Sequence, residues 1–458
     1  MKERFELLEK AILTMVEDKK YSTLRDILVT MNPADVAGIF NSLDDKRIPL
    51  MFRLLPKELA AETFVEMEPE DQELLIKGFS DNELKEVLDE LYVDDAVDII
   101  EEMPANVVRR ILSQADPEMR QSINQILRYP ENSAGAWMTT EYVSLRPVMT
   151  VEEAILRIRR QGVDKETIYT CYVTKDRKLL GLVTVKDLLL AEDDEMLISD
   201  LMVTDLISVT THTDQEEVAR IFSKYDFIAL PVVDKENRMV GIVTVDDAID
   251  VMEEEATEDI ELMGGMLPSE DTYLRSSVWE LFKNRIPWLL FLMLSATFTG
   301  MIINSFEGAL AAQVALTAFI PMLMGTGGNS GSQSSVTVIR ALSLDELKFA
   351  DLPRVVWKEI RTAVLCGAAL AVVCFIKIWL VDRLLFGNPD ISLMVDAVVC
   401  LAMFVTVLLA KTVGAILPMV AKVLKLDPAV MASPFITTIV DALSLLVYFL
   451  FATMLLGI

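Results

Sequence analysis

The chain has 458 residues, with 70 Asp or Glu against 42 Lys or Arg, one His and four Cys, for a formal net charge of −28. That imbalance sits wholly in residues 1–285, which carry 60 acids and 32 bases, whereas residues 286–458 carry ten of each. An acidic half of this kind attracts cations and repels nucleic acid; four Cys without CxxC spacing and a lone His212 argue against a disulfide framework and a zinc or copper centre, which leaves oxygen ligands for any metal.

Residues 1–20 read as an ordinary charged helix, so no secretory signal is expected and residues 1–285 are placed in the cytosol. Residues 1–131 form an acidic helical N-terminal domain of short units opened by Asn32-Pro33 and Pro56-Lys57, which suggests a superhelix. One such unit starts at Asp94 or Asp95 as N-cap and stops at Met103-Pro104.

Residues 132–254 contain an internal repeat. Gly181-Leu182-Val183-Thr184-Val185-Lys186-Asp187 recurs as Gly241-Ile242-Val243-Thr244-Val245-Asp246-Asp247, an offset of 60 residues, and each copy starts near a Met-Thr element at Met138 and Met202. The order strand, turn, strand, helix, twice over, predicts a compact α/β pair. It resembles tandem CBS domains, which implies a regulatory module that binds adenine nucleotides or ions, ATP among them.

No Lys or Arg occurs in residues 239–274, which hold eleven acids. Val251, Ala256, Ile260 and Met263 keep helical spacing, so a long acidic helix ending at Gly264-Gly265 is expected, the connecting helix of a segment bounded at 255–283.

Residues 284–458 read as a membrane domain of five helices, at about 286–306, 311–341, 360–382, 392–421 and 430–457, since uncharged runs of this length exceed the roughly 20 residues a bilayer needs. Pro321, Gly325, Gly327 and Gly328 are expected to break or tilt the second span and to expose carbonyl oxygens. With the N-terminus inside, Lys283, Arg285, Arg340, Lys348, Arg354, Lys358, Arg361, Lys422 and Lys425 lie on the cytoplasmic side and only Arg383 on the other, which fits the positive-inside rule and places Ile458 outside. Five helices do not readily enclose a pore, so a homodimer is expected.

An ionisable residue in hydrocarbon is costly unless it faces a polar path. Asp441 lies in the last span, and Ser433, Thr437 and Asp441 stack on one helix face at four-residue spacing. Gly328, Asn329 and Gln333 of the second span offer a matching oxygen-rich wall. Two Asp441 carboxylates on a dimer axis suit a divalent cation, and Mg²⁺ is expected to keep its hydration shell there. Asp396 and Lys377 are placed near outer span ends, within reach of headgroups or water, and Lys411 deeper, as a charge partner.

The combination of acidic helical domain, CBS pair, acidic connecting helix and five spans resembles the MgtE family of magnesium channels. Its most specific elements are Pro321 to Gln333, containing Gly325-Thr326-Gly327-Gly328-Asn329, and Asp427-Pro428-Ala429 followed by Ser433-Pro434 and Asp441. The resemblance implies a pore magnesium site at Asp441 with Thr437, Ser433 and Asn329 nearby; Ser433 and Ser332 stand where many members carry Asn. It also implies cytosolic magnesium sites at Glu62, Asp94, Glu216, Asp226, Asp247, Asp250, Glu255, Glu258 and Asp259, where like charges repel until a divalent ion bridges them.

The expected function is a Mg²⁺-selective channel or transporter of the bacterial inner membrane, not an enzyme, closed when Mg²⁺ binds between its acidic cytosolic domains. Alternatives are a CBS-regulated carrier of Co²⁺ or Mn²⁺ and a membrane-anchored sensor that transports nothing. An intramembrane aspartyl protease would need a second facing aspartate, and an anion channel would need cationic pore ligands.

Overall fold

The computed structural model describes residues 2–269, 273, 276–385 and 392–457, in two compact units, Met1–Met252 and Glu253–Ile458. Ten helices open the first unit, from α1 (Lys2–Glu17) to α10 (Pro117–Ile126). In α3 (Pro33–Phe40) the Asn32 side chain accepts from the Ala34 N–H, and Pro33 occupies a first-turn position where its missing N–H costs nothing. Helix α5 (Lys57–Val65) follows Pro56. Helix α8 (Val93–Glu102) differs from expectation, because its N-cap is Tyr92 and Asp94 and Asp95 lie inside the first turn. The Val93 N–H donates to the Glu141 carboxylate at 3.2 Å, and the Asp95 carboxylate accepts from the Tyr92 backbone N–H, so Asp94 takes no part in the cap.

Each repeat of residues 132–254 folds as predicted. Strands β1 (Tyr142–Leu145), β2 (Thr167–Lys175) and β3 (Lys178–Thr184) form one sheet, with α11 (Val151–Gln161) between β1 and β2 and α12 (Val185–Leu189) after β3. After α13 (Ile198–Leu201), strands β4 (Val209–Thr210), β5 (Ala229–Val233) and β6 (Met239–Thr244) form the second sheet, with α14 (Gln215–Tyr225) in the crossover. In both, the first pair is parallel and the second antiparallel.

The repeated glycines have a steric reason. A Cβ on Gly181 would come within 2.8 Å of the Met202 Sδ and the Val203 carbonyl, and one on Gly241 within 2.6 Å of the Thr139 carbonyl. Each Met-Thr element therefore packs on the other repeat's strand, and the bridges Leu182–Val203 and Thr139–Ile242 make the exchange reciprocal. One core joins the helical repeats to the second CBS repeat, through Phe40, Phe64 and Leu75 on one side and Phe222, Leu230 and Val243 on the other.

Helix α15 (Val245–Met263) leaves β6 without a break, so the acidic helix starts inside the second repeat, earlier than the segment bound at 255, and ends at Met263, at the expected Gly264-Gly265 stop. Gly265 then takes φ +71°, which lets the backbone pass Trp288 at a distance no Cβ would tolerate.

The second unit contains α16 (Val278–Ser305), α17 (Glu307–Ala312), α18 (Ile320–Ser343), α19 (Leu352–Lys377), α20 (Leu393–Val423) and α21 (Ser433–Leu456). Among the described residues, Val278–Ser305, Phe349–Leu385, Leu393–Val423 and Pro428–Leu456 are long and apolar enough to cross a membrane. The expected span over 311–341 is instead the 3₁₀ turn Val314–Phe319 followed by α18, an uninterrupted helix of 24 residues. Pro321 falls in its first turn and is no obstacle, and the glycines continue the helix because neighbouring helices press against them. The expectation of exposed, non-helical carbonyls there is therefore overturned.

Candidate functional site

The glycines of α18 set its packing. A Cβ on Gly327 would meet Thr406 Cγ2 at 2.7 Å and Ser444 Oγ at 2.8 Å, one on Gly328 would meet Thr437 Cγ2 at 2.9 Å, and one on Gly331 would meet Ile436 Cγ2 at 2.7 Å. From α20, a Cβ on Gly414 would lie only 2.3 Å from the Gly331 carbonyl oxygen. Close approach of this kind is the usual way small residues join helices in lipid.

With one face committed to α20 and α21, α18 turns Gly325, Asn329 and Gln333 outward as an exposed polar stripe. Gly328 and Thr437 are brought together, and Asp441 stands one helical turn beyond Thr437 on α21, half-buried like it. Thr437 Oγ1 donates to the Pro434 carbonyl at 2.9 Å. Among the described residues no hydrogen-bond donor or base partners the Asp441 carboxylate. The Ser433 side chain lies outside the described residues. Asp396, expected near an outer span end within reach of headgroups or water, is instead fully buried, with neither carboxylate oxygen partnered among the described residues; Lys377 pairs with Asp382 at 2.7 Å. The cause is packing, since α20 turns Val395, Asp396, Val398 and Val399 inward together.

The first unit has a separate acidic patch. Asp94 is 6% exposed and, among the described residues, its Oδ1 has no partner. Burial first, and then the charges of Asp247, Asp95, Glu166 and Glu141, hold its proton affinity well above the usual carboxylate range. Asp95 is pushed up to about 7 by burial and Asp247, and Glu166 to about 8 by burial, Asp95 and Asp247. Burial also raises Asp247, opposed by its hydrogen bond from the Thr244 hydroxyl. No Lys or Arg among the described residues pairs with Asp94, Asp95 or Asp247. Nearby, partial burial and then Asp250 raise Glu66, the C-cap of α5.

In the second unit, burial and then Asp427 raise both Glu258 and Asp259 of α15; Asp259 also accepts from the Ser343 hydroxyl at 3.3 Å. Glu255 lies half-buried a turn earlier on the same helix.

Of the acids predicted as ligands, Asp94 meets Asp247, while Glu62 lies exposed on α5 a turn before Glu66. Glu216 and Asp226 stand at opposite ends of α14, about 15 Å apart by helical rise, and so do not share a site within one chain. Glu66, Glu141 and Glu166 were not singled out by sequence reasoning, and Asp95 and Asp427 were named only as an N-cap candidate and as part of the Asp427-Pro428-Ala429 element, not as ligands. Among the described residues no three His, Cys, Asp or Glu side chains are grouped as a metal site, so each patch offers partial ligation from one chain.

Comparison with known proteins places these features. Residues 320–451 match the family of divalent cation transporters called MgtE, residues 31–132 its intracellular N domain, and residues 134–194 and 198–254 the CBS domain. The chain is 37% identical over 456 residues to the magnesium transporter MgtE of Thermus thermophilus, covering 98% of this chain and 99% of the relative. To the magnesium transporter MgtE of Bacillus subtilis it is 34% identical over 443 residues, 96% of each. A solved cytosolic domain of the Mg²⁺ channel MgtE in complex with ATP superposes with a TM-score of 0.51 at 38% identity, over 53% of this chain and 99% of that one. The soluble part of a magnesium transporter gives 0.51 at 31% identity, over 55% and 99%. Full-length similarity, the CBS pair and the apolar helices agree, and the chain belongs to the MgtE family of magnesium transporters as a multi-pass membrane protein.

Proposed function

We propose that this chain is a Mg²⁺ channel whose ion path runs along the polar stripe of α18 and the Thr437–Asp441 face of α21, in a homodimer with five spans per subunit. The observation that carries this reading is the outward aim of Asn329 and Gln333 from a helix packed among apolar spans. A side-chain amide facing lipid costs free energy, so water or a partner subunit must cover that face. Gly325 leaves room beside the stripe, since no atom lies within 4 Å of where its Cβ would be. Two Asp441 carboxylates, unpaired by any base among the described residues, would favour a doubly charged ion over a monovalent one. Mg²⁺ as cargo keeps several waters, and hydroxyl, amide and carboxylate oxygens bind such an aquo ion through those waters.

Closure by Mg²⁺ is supported by the acidic patches. Asp94, Asp95, Asp247 and Glu166 repel one another, and a bridging divalent cation, carrying the charge these oxygens lack, holds α8 against the start of α15. Glu258, Asp259 and Asp427 would be drawn together likewise, Asp250 would complete a site with Glu66, and Glu62, Glu216, Asp226 and Glu255 would complete sites with a partner subunit. Moving a gate from 1:99 to 99:1 takes about 5.5 kcal/mol, a sum that several weak sites can supply. ATP is proposed as a further ligand of the CBS pair, supported by a cleft of about 420 Å³ lined by Tyr142, Ser144, Arg157, Arg160, Gln161 and Lys165, whose three bases suit phosphate oxygens. In the cell the acidic half would face the cytosol of a bacterium and the C-terminus the outside, with the domains divided at residues 131, 254 and 283.

The test is uptake by liposomes containing the purified chain and a metal-sensitive dye. Mg²⁺ entry that exceeds Ca²⁺, Mn²⁺ and Co²⁺ entry and falls as Mg²⁺ rises on the cytosolic face supports the reading. Preference for Co²⁺ or Mn²⁺ would favour a carrier of another metal, and no entry of any ion a sensor.

A further inference from the structure

Three helices of the second unit meet at a buried ionic junction away from the Asp441 face. Lys411 of α20 is 5% exposed, and its ammonium donates to the Ser334 hydroxyl of α18 at 3.4 Å. That hydroxyl in turn donates to Oε2 of Glu359 in α19 at 2.6 Å. Among the described residues neither Lys411 nor Glu359 has another side-chain partner. An ammonium held out of water at membrane depth is costly unless a counter-charge meets it, and here the counter-charge arrives through one hydroxyl.

The junction sits on the helix that carries the polar stripe. Ser334 follows Gln333 directly, so the two side chains diverge by about 100° around the α18 axis. A roll of α18 that broke the Ser334 bridge would swing Asn329 and Gln333 off their outward aim by the same angle. The glycine seam alone does not oppose such a roll strongly, because glycines offer a smooth surface; a directional hydrogen bond to two opposite charges does.

We propose that Lys411, Ser334 and Glu359 are positioning residues, a charge-neutral strut that fixes the rotation of α18 and so keeps its polar stripe facing the ion path. Neutrality matters as much as geometry. Lys411 left alone would be a buried charge without compensation and Glu359 a half-buried one, and an unbalanced ammonium would also repel a divalent ion nearby. The inference rests on the reading that α18 lines the path.

The experiment is a charge-balance cycle on the full-length chain, with Glu359→Gln, Lys411→Met and the double variant, each measured for unfolding temperature in detergent and for Mg²⁺ flux per folded protein in liposomes. Each single change should lower the unfolding temperature by at least about 5 °C and the flux by at least about tenfold. In the double variant both should return, the flux to within about threefold of wild type, because a neutral junction buries no lone charge. Should a single variant not fold, a folded and conducting double still supports the strut. Losses in the double equal to the sum of the singles overturn it, and so does recovery of stability without recovery of flux, which would leave a purely structural role. If wild type carries no Mg²⁺, the transport reading fails and this proposal with it, whereas wild-type flux with an additive cycle sinks the strut alone.

Discussion

Asp247, in the first turn of α15, is the strongest charge acting on the buried Asp94 in the first turn of α8. Two helix N-termini thus aim acids at one another where no base among the described residues answers. The helix dipoles at α8 and α15 ease part of the repulsion, but the remainder must be met by a proton or a cation.

Stability of the chain should therefore depend on pH in a definite direction. Asp95 and Glu166 keep their protons up to about 7 and about 8, against ordinary values of 3.8 and 4.5. Between pH 4 and 8 the folded chain binds more protons than the unfolded one, so these groups make stability fall as pH rises through that window. In Mg²⁺-free buffer the unfolding temperature of the acidic half should be higher at pH 5.5 than at pH 8, and saturating Mg²⁺ should flatten the difference. Unfolding temperatures that rise with pH in the absence of Mg²⁺ would contradict the assignment.

Asp94→Asn removes one of the opposed charges while keeping the shape of the side chain. At pH 8 without Mg²⁺ it should stabilise the fold by about 1–2 kcal/mol. With Mg²⁺ present the advantage should vanish or reverse, because the variant gives up a ligand. Thermal unfolding across a Mg²⁺ titration measures both arms.

Packing of α18 makes a steric prediction. A methyl group at Gly414 would enter the space of the Gly331 backbone, which cannot yield, so Gly414→Ala should cost at least about 1–3 kcal/mol and lower the yield of folded protein. Gly325→Ala, where nothing stands within 4 Å, should leave folding unchanged. Detergent unfolding curves of the two variants separate close packing from general helix propensity.

Asp396 is fully buried and, among the described residues, neither of its oxygens has a partner. Asp396→Leu should raise the stability of the membrane unit by about 1–3 kcal/mol. Reduced stability would mean that the carboxylate is satisfied in the native state.

Much of this architecture was legible because it repeats or leaves an apolar imprint. The 60-residue echo of Gly181 in Gly241 exposed the CBS pair, since each glycine must admit the other repeat's Met-Thr element. Asp441 stood out as a lone charge between uncharged runs. Less visible was the continuity of α18, because Pro321, Gly327 and Gly328 are local signs of a break, and only tertiary packing against Thr406, Thr437 and Ile436 keeps them helical. The partners of Asp94 were hidden for a different reason. Glu141 and Glu166 are single acids in a chain half rich in acids, and their convergence on α8 depends on how the CBS sheet meets the helical repeats. The Lys411–Ser334–Glu359 junction joins residues far apart in sequence and has no spacing to betray it.

Permeation past Asp441 is the most direct point of attack. Mg²⁺ uptake into liposomes should fall at least about tenfold in Asp441→Ala, with the variant folded and its unfolding temperature within a few degrees of wild type. Wild-type uptake from a folded Asp441→Ala chain would remove this carboxylate from the ion path.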